Sequence, residues 1–192
     1  MQISIEQLKS QNPWWDHRDF IAKDYHISVY NEQKLKWRPK ILSEFNFNKD
    51  NIYTLRGARQ IGKTTSIKLL IKELLDKQVK PDNIFYYSCN NINNYNELLD
   101  LLNVYLDFFE DEDTQGMAYI FIDEVTFVNE WERAVKHLAD LGKLQNKSLI
   151  LTGSNAYDLK YGTERLPGRR GVDSDLYKIL YPMSFYDFVE LK

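Results

Sequence analysis

The chain is 192 residues long, 43% apolar and 14% aromatic, enough for one well-buried domain and too short for two comfortable ones. Its net charge of −3 excludes a general attraction to nucleic acid or an anionic membrane, so any such contact has to come from a local patch. The single cysteine, Cys89, excludes an internal disulfide and favours a reducing interior; it reads as a small residue at a strand end.

The first thirty residues, MQISIEQLKSQNPWWDHRDFIAKDYHISVY, contain no uninterrupted apolar run. That excludes a signal peptide, and no later stretch approaches the length of a membrane span. A soluble, cytoplasmic protein is expected. Residues 1–50 carry Trp14, Trp15 and Trp37 and show no clear hydrophobic period. Exposed tryptophans would be costly, so the expectation is an arm folded against a core formed by residues 51–192. An arm that binds a partner is the alternative.

From residue 52 strands and helices alternate. NIYTL is a β-rich run followed by a glycine loop, after which Ile67, Leu70, Ile71, Leu74 and Leu75 recur at helical spacing to near Lys77. Lys80-Pro81-Asp82-Asn83 breaks that helix, IFYYS is a second strand and NELLDLLNVYLDFF a second helix. The nearly all-apolar AYIFID reads as a strand buried on both faces of a parallel sheet. Trp131, Val135, Leu138 and Leu141 mark a third helix, SLILTG a fourth strand and DLYKIL a fifth. The Asn-rich CNNINNYN and the acidic EDEDTQG read as solvated loops. Such alternation predicts an α/β fold, a parallel sheet covered on both sides with right-handed crossovers.

Gly57-Ala58-Arg59-Gln60-Ile61-Gly62-Lys63-Thr64 fits G-x-x-x-x-G-K-[ST]. Glycines at its ends permit backbone angles and close approaches that a Cβ would block. Successive amides then point at phosphate oxygens, at the positive end of the following helix. Lys63 is expected to neutralise charge between the β- and γ-phosphates, and the Thr64 hydroxyl to ligate Mg²⁺. Arg59 and Gln60 either shape the loop or touch a phosphate. Thr65 either faces the α-phosphate or is an ordinary first-turn residue.

A phosphate loop alone does not separate a kinase, a GTPase and an ATPase. Asp123 ends the apolar run YIFID, where a carboxylate without a cation would be expensive; beside the loop, that cation is Mg²⁺. Glu124, the next residue, can orient and polarise an attacking water. A GTPase would carry N-K-x-D, but NKSL at 146–149 lacks the Asp, and no kinase-type lid is visible. The fourth strand ends in Thr152-Gly153-Ser154-Asn155, where Ser154 and Asn155 are candidates to sit near the γ-phosphate, against a plain strand-ending turn. In ERLPGRRGVD, Arg165, Arg169 and Arg170 cluster. Three readings stand: Arg169 or Arg170 reaching a neighbouring subunit's γ-phosphate in a homo-oligomer, binding to a partner's or nucleic acid's phosphate, or solvated charge.

Together NPWW, KWRP, LRGARQIGKTT, IFIDEV with Trp131-Glu132, LTGSN, LPGRRG and LYPMSFYDFVE resemble a prokaryotic, largely archaeal, family of AAA-like ATPases within the AAA+ superfamily, over nearly the whole chain. The resemblance implies a three-layer αβα P-loop NTPase core with five parallel strands in the order 5-1-4-3-2, and ATP and Mg²⁺ as ligands. By motif position it implies phosphate and metal roles for Lys63 and Thr64, metal for Asp123, water for Glu124 and a sensor role for Ser154 or Asn155. The family's Gly-Arg pair falls on Gly168 and Arg169, and its usual Gln after the acidic pair is Thr126 here. Relatives continue past SF-x-x-F into a helical lid and a further domain, so a fragment lacking both is expected. The expected function is Mg²⁺-dependent ATP binding and hydrolysis coupled to conformational change in a larger protein or assembly. Its rivals are an ATP-binding switch with little hydrolysis and a DNA-associated ATPase.

Overall fold

The computed structural model describes residues 4–111, 116–166, 170–171 and 175–192. Five strands, β1 (Ile52–Arg56), β2 (Ile84–Ser88), β3 (Ala118–Asp123), β4 (Lys147–Gly153) and β5 (Tyr177–Ile179), form one sheet in the order β2-β3-β4-β1-β5. Every pairing is parallel, and the order is the expected one. Among the described residues seven helices surround it: α1 (Ile5–Gln11), α2 (Tyr25–Glu32), α3 (Lys63–Asp76), α4 (Tyr95–Asp111), α5 (Trp131–Asp140), α6 (Ala156–Glu164) and α7 (Phe185–Glu190). Among the described residues no helix is long and apolar enough to cross a membrane.

The strands read as unbroken apolar runs because both faces are buried. Phe85, Ile120, Ile122, Leu149 and Leu151 point into one core with Leu101, Tyr105, Val135 and Leu138 of α4 and α5. Their neighbours Tyr53, Leu55, Ile84, Tyr86, Phe121 and Ile150 point into the other. There α3 supplies Ile67, Leu70, Ile71 and Leu74, and residues 1–50 supply Trp14, Ile21, Ile27, Leu42 and Phe45. The second helical layer is thus shared between α3 and the N-terminal segment.

That segment also closes the sheet edge. β2 has a strand partner on one side alone, leaving a row of unpaired backbone groups on the other. Side chains take them up. Asn12 Oδ1 accepts the Tyr86 N–H at 2.7 Å while its Nδ2 donates to the Tyr86 carbonyl at 2.9 Å. The indoles of Trp14 and Trp15 both donate to the Ile84 carbonyl at 2.9 Å, and Gln11 Oε1 accepts from Ser88 N at 2.9 Å. Trp14 enters the α3-side core, whereas Trp15 stacks on Phe85, Tyr105 and Phe108, so the two rings straddle the edge strand. Further contacts tie the segment to α3. Arg18 donates to the Leu75 and Val79 carbonyls at the helix C-terminus, and Arg38 forms a bidentate pair with Glu73 at 2.5 and 2.9 Å.

Several expectations shift. Residues 1–50 hold two short helices and 3-10 turns at Pro13–Trp15, Arg18–Lys23 and Lys40–Glu44; elements of about two turns or fewer display no readable period. Leu141 lies just past α5 and is exposed, so the buried stripe ends at Leu138. β5 spans only Tyr177–Ile179, with Leu176 and Leu180 buried beyond its ends. Residues 112–115 of the acidic loop lie outside the described residues.

Candidate phosphate and metal site

In a parallel sheet the loops at the carboxyl ends of the strands share one rim. The register sets Ser88 beside Asp123 and Arg56 beside Gly153, which brings the glycine loop, the acidic pair and Ser154 to that rim. The loop's end glycines serve different needs. A Cβ on Gly57 would sit 2.8 Å from the Leu180 carbonyl oxygen, so close approach excludes a side chain there. Gly62 has φ 96° and precedes α3 without a side-chain cap, leaving the first-turn amides of the helix to the loop. Ala58, Arg59 and Gln60 form its exposed rim, with Gln60 also left-handed at φ 60°.

Lys63 is buried, and its Nζ donates to the carbonyls of Gly57 and Ala58 at 3.1 and 3.2 Å and to Ser154 Oγ at 3.0 Å. Glu124 Oε1 stands 3.5 Å from the same ammonium. Glu124 has φ 53°, a left-handed conformation that costs about 1–3 kcal/mol in a non-glycine residue. It turns the carboxylate back to accept the Ser154 N–H at 3.1 Å and the Ser154 hydroxyl at 2.8 Å. Ser154 therefore bridges Lys63 to Glu124. Asn155 does something else: exposed, it caps α6, its Oδ1 accepting from Asp158 N at 3.2 Å.

Asp123 is only 2% exposed, and hydroxyls from three elements hold its carboxylate. Thr64 of α3 donates to Oδ2 at 2.7 Å, Tyr86 of β2 donates to Oδ2 at 3.3 Å, and Thr152 of β4 donates to Oδ1. The Thr152 hydroxyl also accepts the Glu124 N–H at 3.0 Å, so one side chain orients both acids. Burial, reinforced by the Asp123 charge, pushes the Tyr86 phenol above its ordinary range and keeps it a donor. The same two causes push the buried Cys89 thiol up, which makes it inert.

Two adjoining clefts open beside the loop. One, of 240 Å³, is lined by His26, Gln60, Gly62, Lys63, Thr64, Thr65 and Glu124. The other, of 310 Å³, shares Gln60, Gly62 and Thr65 and continues over Ile61 and Leu69 to Tyr30, Trp37 and Met183. The first carries the charged groups Lys63 and Glu124, and the second carries two aromatic rings, Tyr30 and Trp37. Among the described residues no cluster of three or more His, Cys, Asp or Glu could hold a metal with protein ligands alone. The donor set fits Mg²⁺, which takes one or two protein oxygens and completes its octahedron with water and phosphate; Thr64 and Asp123 are the residues placed for it.

The arginine loop changes most. Arg170 donates from Nε and Nη2 to the Ile52 carbonyl at 3.2 and 3.1 Å and from Nη2 to the Leu176 carbonyl at 3.1 Å. Its guanidinium lies 4.0 Å from the Tyr177 ring centroid. Ile52 opens β1, so Arg170 is bound at the sheet end opposite the glycine loop, about 16 Å away along an extended strand. Within this chain Arg170 is therefore a structural brace, its guanidinium engaged by backbone carbonyls away from the glycine loop. Arg165 pairs with Glu132. Gly168 and Arg169 lie outside the described residues. Thr126 packs against Gly153.

Thr152, Tyr86 and His26 were not singled out from sequence. Thr152 had a signal, since it precedes Ser154 by two positions on a strand beside Asp123; the other two had none.

Comparison with known proteins agrees with this geometry. A family described as an AAA domain matches residues 49–189. Among solved structures, Cdc6p from Pyrobaculum aerophilum aligns with a TM-score of 0.54 at 16% identity, covering 85% of this chain and 51% of that one. The ORC1 protein of Aeropyrum pernix, solved in complex with DNA, aligns at 0.53 and 10% identity, covering 94% and 52%. Such likeness establishes the fold, and this chain spans about half the length of either protein. A comparison with curated proteins returns no match. With the phosphate-loop fold, the strand order and the family match over residues 49–189 in agreement, the chain belongs to the AAA domain family.

Proposed function

We propose that residues 51–192 are a Mg²⁺-dependent ATPase core, that residues 1–50 are an arm built onto it, and that ATP binding and hydrolysis drive a conformational change in a larger, cytoplasmic protein or assembly. One observation carries the reading: Lys63, Thr64, Asp123, Glu124 and Ser154, from three separate chain segments, are joined through the Thr152 hydroxyl into one hydrogen-bonded set at the carboxyl rim of the sheet.

In this reading the loop from Gly57 to Thr64 and the first-turn amides of α3 cradle the phosphates. Lys63 exchanges its carbonyl and Ser154 partners for phosphate oxygens. Thr64 and Asp123 would hold Mg²⁺, which would supply charge neutralisation at the phosphates. Thr65 stands between the two clefts, and the base and ribose occupy the aromatic one, against Tyr30 and Trp37. Glu124, freed from Lys63, accepts a proton from the attacking water, with Ser154 fixing its carboxylate. Within the arginine segment, Arg169 stays the finger candidate for a neighbour in an oligomer.

Lys63→Ala is expected to abolish ATP binding. Glu124→Gln should bind ATP and hydrolyse it about 10²–10⁴-fold more slowly, measured by phosphate release. Turnover by Glu124→Gln at the wild-type rate would remove the water-activating role. Wild-type protein that holds ATP for hours without releasing phosphate would make this a binding module.

A further inference from the structure

We propose that His26, on the arm, is a nucleotide contact whose imidazole hydrogen-bonds the terminal phosphate of ATP; the inference rests on the ATP site argued above. His26 lines the polar cleft together with Lys63, Thr64 and Glu124. The glycine loop and the first turn of α3 line that cleft with Gln60, Gly62, Lys63, Thr64 and Thr65, Glu124 joins them from the end of β3, and His26 is the contribution of α2. Glu124 sits where the attacking water would approach, so a residue sharing its cleft lies at the terminal-phosphate end.

The imidazole has the right chemistry to spare. It is half-buried and meets the Tyr25 ring edge-on at 5.5 Å. Among the described residues nothing hydrogen-bonds its ring nitrogens. An N–H donor facing a phosphate site is a matched pair.

Its placement is also fixed from the site side. Asp24 caps α2, with Oδ1 accepting the His26 N–H at 2.9 Å and Oδ2 lying 3.2 Å from Lys68 Nζ. Lys68 follows Thr64 by one turn on α3, is buried, and lies 3.5 Å from the Tyr86 ring centroid. The hydroxyl of that ring is on Asp123. One partly buried carboxylate thus ties the main chain of His26 to the buried Lys68 of the helix carrying Lys63 and Thr64. Removing one partner of such a pair leaves an uncompensated buried charge, so the arm is held in register with the site.

The test uses the full chain with Mg²⁺ and compares dissociation constants for ATP and ADP in the wild type, His26→Ala and His26→Gln. His26→Ala is expected to weaken ATP about 10-fold, the worth of a hydrogen bond to a charged group, and to leave ADP within about twofold. His26→Gln, which keeps an N–H donor, should recover part of the loss, with melting temperatures unchanged. Equal ATP affinity in His26→Ala and wild type, or equal losses for ATP and ADP, overturns the assignment alone. A wild-type protein that binds no ATP removes the functional reading and this inference with it.

Discussion

Replacing Asn12 with alanine probes how the arm is joined to the sheet. The side chain is fully buried, and its amide satisfies both backbone groups of Tyr86 and donates to the Leu8 carbonyl at 2.8 Å. Alanine leaves the Tyr86 N–H and carbonyl without partners on a covered edge. Each orphaned buried group costs about 1–3 kcal/mol, and two sum to about 2–6 kcal/mol before any water enters the space left by the amide. A loss of about 3 kcal/mol is expected, equivalent to about 6–12 °C in melting temperature for a chain of this size. Urea unfolding followed by tryptophan fluorescence reads it as a lower midpoint at unchanged m-value. A loss below about 1 kcal/mol with the same m-value would show that the edge hydrogen bonds are not what hold the arm, and burial of Trp14 would have to carry it.

Thr152→Val removes the donor to Asp123 and the acceptor for the Glu124 amide while keeping the branched shape. The Mg²⁺ concentration for half-maximal ATP binding should rise about 10-fold or more, as for other groups that orient metal ligands; a Mg²⁺ titration of nucleotide binding checks it. Arg170→Met strips hydrogen bonds from the Ile52 and Leu176 carbonyls and is expected to lower stability by about 2 kcal/mol with ATP affinity unchanged. Reduced turnover at unchanged stability would instead restore a finger role. Burial raises the titration of Tyr86, Tyr105 and Cys89, groups that ionise near pH ~10 and ~8.5 in the unfolded chain. Below about pH 8.5 both states keep these protons. Above it the unfolded chain releases protons that the folded one retains, so stability should fall as pH rises from about 8.5, seen as a lower urea midpoint at pH 10 than at pH 7.5.

Features that depend on neighbours along the chain can be read from the amino-acid order. The glycine loop is legible because its geometry is local: Gly57 and Gly62 are needed by the backbone of one eight-residue turn and the helix that follows. The strands are legible because burial on both faces demands unbroken apolar runs, and Asp123 because a carboxylate ending such a run needs a reason. Which polar groups meet is set by the way the chain folds back on itself. Asn12 pairs with Tyr86 across 74 positions, Tyr86 with Asp123 across 37 and Ser154 with Lys63 across 91. The fold also makes Asn155 a helix cap and Arg170 a brace, and brings His26 to the cleft beside the glycine loop. Hydrophobic periodicity records that a face is buried but not what buries it. A polar side chain carries still less, because its partner is set by strand order and register, which no single stretch of sequence contains.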